Sequence, residues 1–171
     1  MNLEEMRKNV WMDEIDIKHI EDFILTKKDV ELDVLEWGSG WSTLYFSKFI
    51  EQLGNNYKWT SLEYNLAWFN KIAEYIENLN VAIFLFDVGN NDLFQRDTNM
   101  DKYVDYPLNF KFDMVIVDGR KRRRCLLNAA KILKPGGTVF LHDAERNYYH
   151  CAFKEFKNGK FLSKKLWSGS I

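Results

Sequence analysis

The chain has 171 residues, a length that suits one compact domain and excludes two full ones. Lys and Arg number 24 against 25 Asp and Glu, and this net charge of −1 excludes a globally basic nucleic-acid binder and a polyacidic tail protein. With 46 % hydrophobic and 16 % aromatic residues, the sequence can form a packed core and is not typical of a disordered chain.

Segments with helical periodicity alternate with short apolar segments that are typical of strands. The predicted strands are 33–37, 58–63, 81–86, 112–117 and 138–141, with a last candidate at 161–167. The predicted helices are 13–27, 41–53, 66–79, 120–133 and 145–156, and a loop or short helix is expected over 90–109.

This alternation indicates βαβ units and a parallel sheet. We therefore predict an α/β fold, with a Rossmann-like, doubly wound, mostly parallel sheet and helices on both faces. A single domain is expected over 1–171, with an N-terminal helical cap over 1–30 and the core over 31–171. Because little chain follows Trp167, we expect the last hairpin of the sheet to be incomplete. The first, third and fourth strands are nearly uniformly apolar, which is expected of strands that are covered on both faces.

The cysteines and the N-terminal region indicate the cellular compartment of the protein. Cys125 and Cys151 are too few for a disulfide framework, and their spacing matches no zinc-binding pattern. The N-terminal residues lack the basic start and long apolar run of a signal peptide, and no apolar stretch approaches the roughly 20 residues of a membrane span. We expect a reduced, cytoplasmic protein without membrane association.

Five predicted strands end in acidic residues or in a His-Asp pair. Each could be an ordinary turn or surface residue, but parallel sheets bind ligands beyond the carboxyl ends of their strands, so five together predict a site. These residues, in chain order, are Glu36, Glu63, Asp87, Asp118 and the pair His142 and Asp143.

The first strand end combines an acid with a glycine turn. Gly38 and Gly40 permit a tight turn and close approach of a ligand to the backbone, and Glu36 before them disfavours a phosphate and favours an amine-bearing ligand. Glu63 lies about 20 residues further on, where an acid can bind the two hydroxyls of a ribose. Asp87 could meet an adenine amine, or could simply form a turn before a glycine.

The complete set of motifs resembles class I S-adenosylmethionine-dependent methyltransferases. EWGSGWST at 36–43 resembles the first motif of the family, with Ser42 in place of the third glycine of its commonest form. FDMVIVDG at 112–119 and LLNAAKILKPGGTVFLHD at 126–143 resemble the fourth and fifth motifs. The GSGxST, VDGRxR and HDAERxxY patterns are most similar to small O-methyltransferase-like proteins.

The resemblance implies S-adenosylmethionine as the cofactor. Glu36 would orient the methionine amine, directly or through water, and Glu63 would bind the ribose. The residues implied in cofactor binding are Glu36, Gly38, Ser39, Gly40, Ser42, Thr43, Glu63, Tyr64, Asp87, Val88 and Asp118.

The acceptor would lie over the ends of the fourth and fifth strands. Methyl transfer to a hydroxyl needs alignment and a base, for which Asp118, His142 and Asp143 are the candidates. His142 has a suitable unperturbed pKa of about 6.5. Asp118 and Asp143 could instead hold Mg²⁺, but a third ligand is not obvious, so we favour a site without a metal.

A run of five cations, 120–124, follows Asp118 at the start of a predicted helix, where the helix dipole disfavours positive charge. A solvated helix face is the ordinary interpretation. An anionic acceptor would explain the run better, and Arg120 and Arg122 are predicted to reach it.

The predicted function is thus O-methylation of a small, anionic or saccharide acceptor. An NAD(P)-dependent oxidoreductase is disfavoured by Glu36 and by Thr43 at the third glycine position of GxGxxG. An RNA methyltransferase is disfavoured by the net charge, and a non-catalytic S-adenosylmethionine-binding module stays open as an alternative. Because 171 residues leave little chain for a dedicated substrate domain, we expect a small or exposed acceptor, or an acceptor pocket that a second copy of the chain completes.

Overall fold

The computed structural model describes residues 1–89 and 98–171. Its helices are α1 (Leu3–Asn9), α2 (Glu14–Thr26), α3 (Trp41–Gln52), α4 (Leu66–Ala73), α5 (Asp101–Asp105) and α6 (Arg122–Ile132), with 3₁₀ helices at Tyr106–Asn109 and Asn147–Glu155. Its strands are β1 (Leu32–Trp37), β2 (Tyr57–Glu63), β3 (Val81–Leu85), β4 (Phe112–Val117), β5 (Leu133–Leu141), β6 (Lys157–Phe161) and β7 (Trp167–Ser170).

The strands form one seven-stranded sheet in the order β3-β2-β1-β4-β5-β7-β6. β1 to β5 run parallel, whereas β7 pairs antiparallel with both β5 and β6. The strand order reverses between β1 and β4, and a ligand crevice is expected beyond the carboxyl ends of the strands at this point. The predicted α/β, Rossmann-like, mostly parallel sheet is confirmed.

Helices cover both faces of the sheet because neighbouring residues of a strand point to opposite sides. Val34 of β1 faces a core that includes Ile20 of α2 and Leu44 of α3. Leu35, the next residue, faces a second core that includes Leu126 of α6. No helix in the described residues is long and apolar enough to cross a membrane.

The expectation that β3 is covered on both faces is wrong. β3 is an edge strand, and Ala82 and Phe84 are exposed on one side of it. Its sequence is as apolar as that of a central strand, so the apolar pattern alone could not reveal the edge position.

The expectation of an incomplete last hairpin is also wrong. Phe161 of β6 pairs with Trp167 of β7, so the predicted strand 161–167 is wrong and residues 162–166 connect the two strands. A Cβ atom at Gly159 would lie 2.5 Å from the Trp167 ring, and one at Gly169 would lie 2.4 Å from it. The ring therefore packs over two glycines in a hairpin whose first strand is exposed throughout, so no apolar pattern indicates it.

Several element boundaries differ from the prediction. α6 begins at Arg122 because Lys121 has a left-handed conformation, with φ 54°. β5 already begins at Leu133, so the Lys-Pro-Gly-Gly segment lies within the strand instead of before it. The predicted helix over 145–156 is a 3₁₀ helix. Part of the predicted loop 90–109 lies outside the described residues, and the described part contains α5 and a 3₁₀ helix.

Candidate functional site

The carboxyl ends of β1, β2, β4 and β5 open onto one cavity of about 690 Å³. This volume lies within the range of ligand pockets in proteins. The segments at the ends of these strands all contribute lining residues: Gly38–Ser42, Glu63–Asn65, Asp118–Arg120 and His142–Asp143. The sequence prediction that strand ends converge at one edge therefore holds for four of the five strands.

The turn after β1 packs directly against the turn after β4. Gly38 has φ 98°, in the left-handed region, and its N–H donates to the Leu62 carbonyl over 2.8 Å. A Cβ atom at Gly38 would lie 2.6 Å from the N and Cα atoms of Gly119. Both the backbone conformation and the close contact require glycine at position 38.

Glu36 lies behind this turn and is completely buried. Its carboxylate accepts hydrogen bonds from the hydroxyls of Ser42 and Thr43, from Trp59 Nε1 at 3.2 Å and from Ser61 Oγ at 3.1 Å. Burial raises the pKa of Glu36 to about 7, although these four hydrogen bonds oppose the shift. The Glu36 carboxylate does not line the cavity. In this geometry it makes no direct contact with a methionine amine in the cavity.

Two further predicted cofactor ligands act within the same network. Thr43 is fully buried, and its hydroxyl accepts a hydrogen bond from the Gly40 N–H over 2.9 Å. Ser42 lines the cavity. Glu36 therefore stabilises the start of α3 and fixes the hydroxyl of Ser42 at the cavity wall.

Glu63 connects the turns that follow β1 and β2. Its Oε2 accepts the N–H of Ser39 at 2.9 Å and the Ser39 hydroxyl at 3.0 Å. Its Oε1 accepts the N–H groups of Tyr64 and Asn65, both at 2.8 Å. Burial raises the pKa of Glu63, while these hydrogen bonds counteract that shift. The carboxylate lines the cavity, and a ribose hydroxyl could replace the Ser39 hydroxyl because that side chain can rotate away.

Asp87 and Val88 are not part of this cavity. They line a second depression together with Tyr103, and Asp87 accepts the Gly89 N–H over 2.8 Å in a local turn. The rings of Tyr64 and Tyr103 contact each other edge-to-face at 6.3 Å between the two depressions. The structure therefore does not bring the predicted adenine-side residues together with the other predicted cofactor ligands.

Arg122 holds the ends of β4 and β5 together. Its Nε donates to the Gly119 carbonyl at 2.9 Å. Its Nη1 donates to the His142 carbonyl at 2.6 Å and to Asp143 Oδ2 at 2.9 Å. Its Nη2 contacts the Asp118 carbonyl at 2.8 Å and Asp118 Oδ1 at 3.0 Å. Arg122 lines the cavity, but its guanidinium donates four hydrogen bonds within the chain and pairs with two carboxylates. The predicted contact of Arg122 with an anionic acceptor therefore does not fit.

The other arginines of the basic run also make contacts within the chain. Arg123 lies 4.4 Å from the Tyr148 ring centroid, and Arg124 pairs with Asp101 at 2.7 Å. Arg120 lines the cavity, where its Nε donates to the Tyr64 hydroxyl over 3.1 Å. Of the two arginines predicted to reach an acceptor, only Arg120 keeps N–H groups without a protein acceptor in the described part of the chain.

His142 uses one ring nitrogen for a hydrogen bond and buries the other. Its Nδ1 lies 2.9 Å from Asp118 Oδ1, and its buried Nε2 lies 3.8 Å from Asp16 Oδ2. Burial lowers the pKa of His142, but the hydrogen bond and charge of Asp118, with Asp143, outweigh it and raise the pKa. The predicted role of His142 as the base does not fit, because neither nitrogen is free to take a proton from an acceptor.

Asp118 lines the cavity and is the better-placed carboxylate. Its Oδ1 contacts Arg122 and His142, whereas its Oδ2 has no hydrogen-bond partner among residues 1–89 and 98–171. Asp143 also lines the cavity, and its pKa is lowered because the charges of Arg122, His142 and Arg146 outweigh its burial.

The residues at this edge do not fit a metal ion. Oxygen and nitrogen atoms of Asp118, His142 and Asp143 lie within 4.8 Å of one another, as the ligands of a metal would. However, the guanidinium of Arg122 already pairs with both carboxylates, and Arg146 lies 3.0 Å from Asp143. A divalent cation at this place would lie beside two positive charges.

One wall of the cavity is aromatic. From the sequence, Trp11 and Trp41 could stack on a sugar or another ring, although packing in the core or in a loop is the favoured interpretation. Trp11, which is 78 % exposed, contacts Trp68 with a centroid distance of 5.3 Å. Lys71 Nζ lies 4.8 Å from the Trp68 ring centroid and 5.9 Å from that of Trp41. All four residues line the cavity. Trp68 and Lys71 lie in α4 and were not predicted, because no motif marks them.

Comparison with known proteins agrees with the fold. A family model described as a methyltransferase domain matches residues 35–144. No match was found among curated proteins.

Solved structures with similar folds are methyltransferases or methyltransferase-like proteins. A methyltransferase-like protein from Silicibacter pomeroyi has a TM-score of 0.69 at 18 % identity, covering 94 % of this chain and 88 % of that one. A candidate caffeoyl-CoA O-methyltransferase from Staphylococcus aureus has a TM-score of 0.63 at 16 % identity, covering 100 % and 93 %. The MycE methyltransferase of the mycinamycin biosynthetic pathway, solved with Mg, SAH and mycinamycin VI, has a TM-score of 0.62 at 14 % identity, covering 99 % and 48 %. At these identities the likeness shows the fold.

Proposed function

The chain belongs to the methyltransferase domain family, and on this basis we propose that it methylates an oxygen atom of a small acceptor with S-adenosylmethionine. One observation carries the proposal: a single cavity contains the glycine turn after β1, the carboxylate of Glu63 and the open oxygen of Asp118. A nucleoside-bearing ligand and a hydroxyl acceptor can therefore meet in one cavity.

The residues around the turn fit the cofactor. The backbone of Gly38–Gly40 would lie along the ligand, and Glu63 would accept hydrogen bonds from its ribose. A Cβ atom at Gly40 would meet no atom closer than 3.6 Å, so the backbone is open to a ligand at that point. When bound, S-adenosylmethionine supplies a methyl group on a positively charged sulfur.

Asp118 would act on the acceptor. Its open Oδ2 would accept a hydrogen bond from the acceptor hydroxyl, orient that oxygen and hold the proton that the oxygen loses. Arg122 and His142 hold Oδ1 of the same carboxylate and thereby fix its direction. They position the base and need not touch the acceptor.

The cavity walls support a ring-shaped or saccharide acceptor with a negative charge. The exposed indole of Trp11 offers a flat apolar face, while Lys71, Arg120 and Arg146 line the same cavity with positive charge. Because Arg122, Arg123 and Arg124 make contacts within the chain, the basic run offers little charge to RNA phosphates, which supports a small acceptor.

Calorimetry with S-adenosylhomocysteine tests the cofactor site. We expect saturable binding to the native protein, and at least a tenfold loss of affinity for Glu63→Gln, because the amide replaces one acceptor oxygen with a donor. Glu74→Gln, a change at an exposed residue at the end of α4, is the matched control and should bind normally. Absence of binding to the native protein at millimolar ligand would overturn the proposal.

A second assay tests catalysis. Release of S-adenosylhomocysteine should be detectable with a panel of anionic ring and sugar acceptors, and Asp118→Asn should abolish it while leaving cofactor binding intact. Binding without turnover on any acceptor of the panel would identify a non-catalytic binding module instead.

A further inference from the structure

An unpaired acid lies beneath the candidate site. Asp16 in α2 is completely buried, and neither of its carboxylate oxygens has a hydrogen-bond partner among the described residues. A buried carboxylate without hydrogen bonds is costly unless an opposite charge lies nearby. The Nε2 atom of His142 lies 3.8 Å from Asp16 Oδ2, and it too is buried without a hydrogen-bond partner.

The imidazole ring of His142 lies between two carboxylates from distant parts of the chain. Asp118 at the end of β4 contacts Nδ1 at 2.9 Å, while Asp16 faces Nε2. Asp143 Oδ1 lies 4.0 Å from Nδ1. Two negative charges on opposite ring nitrogens favour an imidazolium, in which each nitrogen carries a proton towards one carboxylate.

The remaining charged groups around this ring have other partners. Arg122 of α6 pairs with Asp118 and with its neighbour Asp143. Lys165, in the turn between β6 and β7, pairs with Asp13 at 3.1 Å. The charge of Lys165 also acts on Asp16, but no ion pair joins the two side chains. Among the described residues, His142 is therefore the basic group that forms an ion-pair contact with Asp16.

We propose that Asp16 is a positioning residue of the methyl-transfer site, which holds His142 as an imidazolium and so fixes Asp118 towards the acceptor. This positioning role rests on the proposed function, because it presupposes methyl transfer at the site. Asp16 lies outside residues 35–144, which the family model matches. The N-terminal helix α2 would then contribute a charge to the site in addition to covering the sheet.

Nuclear magnetic resonance of the ligand-free protein tests the proposal directly. The ring nitrogens of His142 are assigned as the signals that His142→Gln removes, with His19 and His150 as internal references. We expect both nitrogens of His142 to be protonated at about pH 7.5, above the unperturbed value of about 6.5. A neutral His142 ring at that pH would overturn the proposal.

A variant provides the second measurement. In Asp16→Asn, His142 should titrate at a pH about one unit lower, because one of its two flanking charges is removed. Asp22→Asn is the matched control, since Asp22 is exposed on the same helix and pairs with Lys18 at 3.2 Å. Equal titration of His142 in the native protein and in Asp16→Asn would contradict the proposal.

These measurements remain decisive in two difficult cases. If Asp16→Asn does not fold, the protonation of His142 in the native protein still decides. Because no cofactor or acceptor is needed, a protein that shows the imidazolium but does not bind S-adenosylhomocysteine would retain this pairing and lose the proposed function.

Discussion

At the scale of single residues, most polar side chains of the site make hydrogen bonds or ion pairs with other groups of the protein. Fewer of them are open to a ligand in the cavity. Arg122 is the clearest example, because its fork of N–H groups contacts three carbonyls and two carboxylates at once. Glu36 and Glu63 likewise accept four hydrogen bonds each. The acids that the sequence singled out are thus the framework of the site, and only some of them can touch a ligand.

Replacing Arg122 should destabilise the fold as well as the site. Its side chain is only 13 % exposed, and Arg122→Gln leaves the carboxylates of Asp118 and Asp143 close together without their shared cation. We expect a loss of about 3 kcal/mol in the free energy of unfolding, measured by urea denaturation. Arg124→Gln, at an exposed ion pair, should cost less than about 1 kcal/mol. Equal costs for the two variants would show that the pairing of Arg122 is unimportant.

At the scale of elements, the turns after β1 and β4 form a single unit. Gly38 and Gly119 are in backbone contact, so the cofactor turn is supported from the side of the proposed acceptor site. β1 pairs in parallel with β4, from Val34 opposite Met114 to Trp37 opposite Val117. The two strands therefore end side by side, and the turns that follow them are neighbours. A displacement of either turn should therefore disturb both halves of the cavity.

A pair of glycine substitutions tests this coupling. Gly38→Ala combines a left-handed φ with overlap against Gly119, whereas Gly54→Ala has φ 79° but no neighbouring atom within 4 Å. We expect Gly54→Ala to cost about 1 kcal/mol in the free energy of unfolding through backbone strain alone, and Gly38→Ala to cost more. Thermal unfolding compares them. If the costs are equal, the contact between the two turns contributes nothing.

At the scale of the whole molecule, buried titratable groups make stability depend on pH. The pKa of Glu36 is about 7 in the folded protein against 4.5 for the ordinary group, and that of His142 is also raised. A group with a raised pKa binds its proton more tightly when folded, so its contribution to stability is complete below the unfolded pKa and is lost as pH rises through the folded one.

Glu36→Gln isolates one part of this pH dependence. Between about pH 4.5 and 7, native Glu36 should lower the free energy of unfolding by up to roughly 3 kcal/mol as pH rises. The variant lacks this titration, so its stability should fall less steeply over the same range when urea denaturation is repeated at each pH. Superimposable pH profiles would contradict the buried position of the ionisable group.

The order of strands and helices could be predicted from the sequence because it depends on local periodicity. Five strands, the glycine turn and the acids at the strand ends all followed from residues adjacent in the chain. The hairpin of β6 and β7 could not be predicted, because a polar, exposed strand and two glycines beneath Trp167 have no local apolar pattern.

By itself, the sequence determined the fold class, the family and the edge of the sheet where the site lies, since short-range patterns of apolar, acidic and glycine residues encode them. Only the tertiary structure decided which of these residues face the cavity. In the folded chain, Asp87 lines a second depression, Arg122 pairs with Asp118 and Asp143, and Asp16 of α2 lies beside His142. Hydrogen bonds and ion pairs of this kind join segments far apart in the chain, and the packing of whole elements selects the partners.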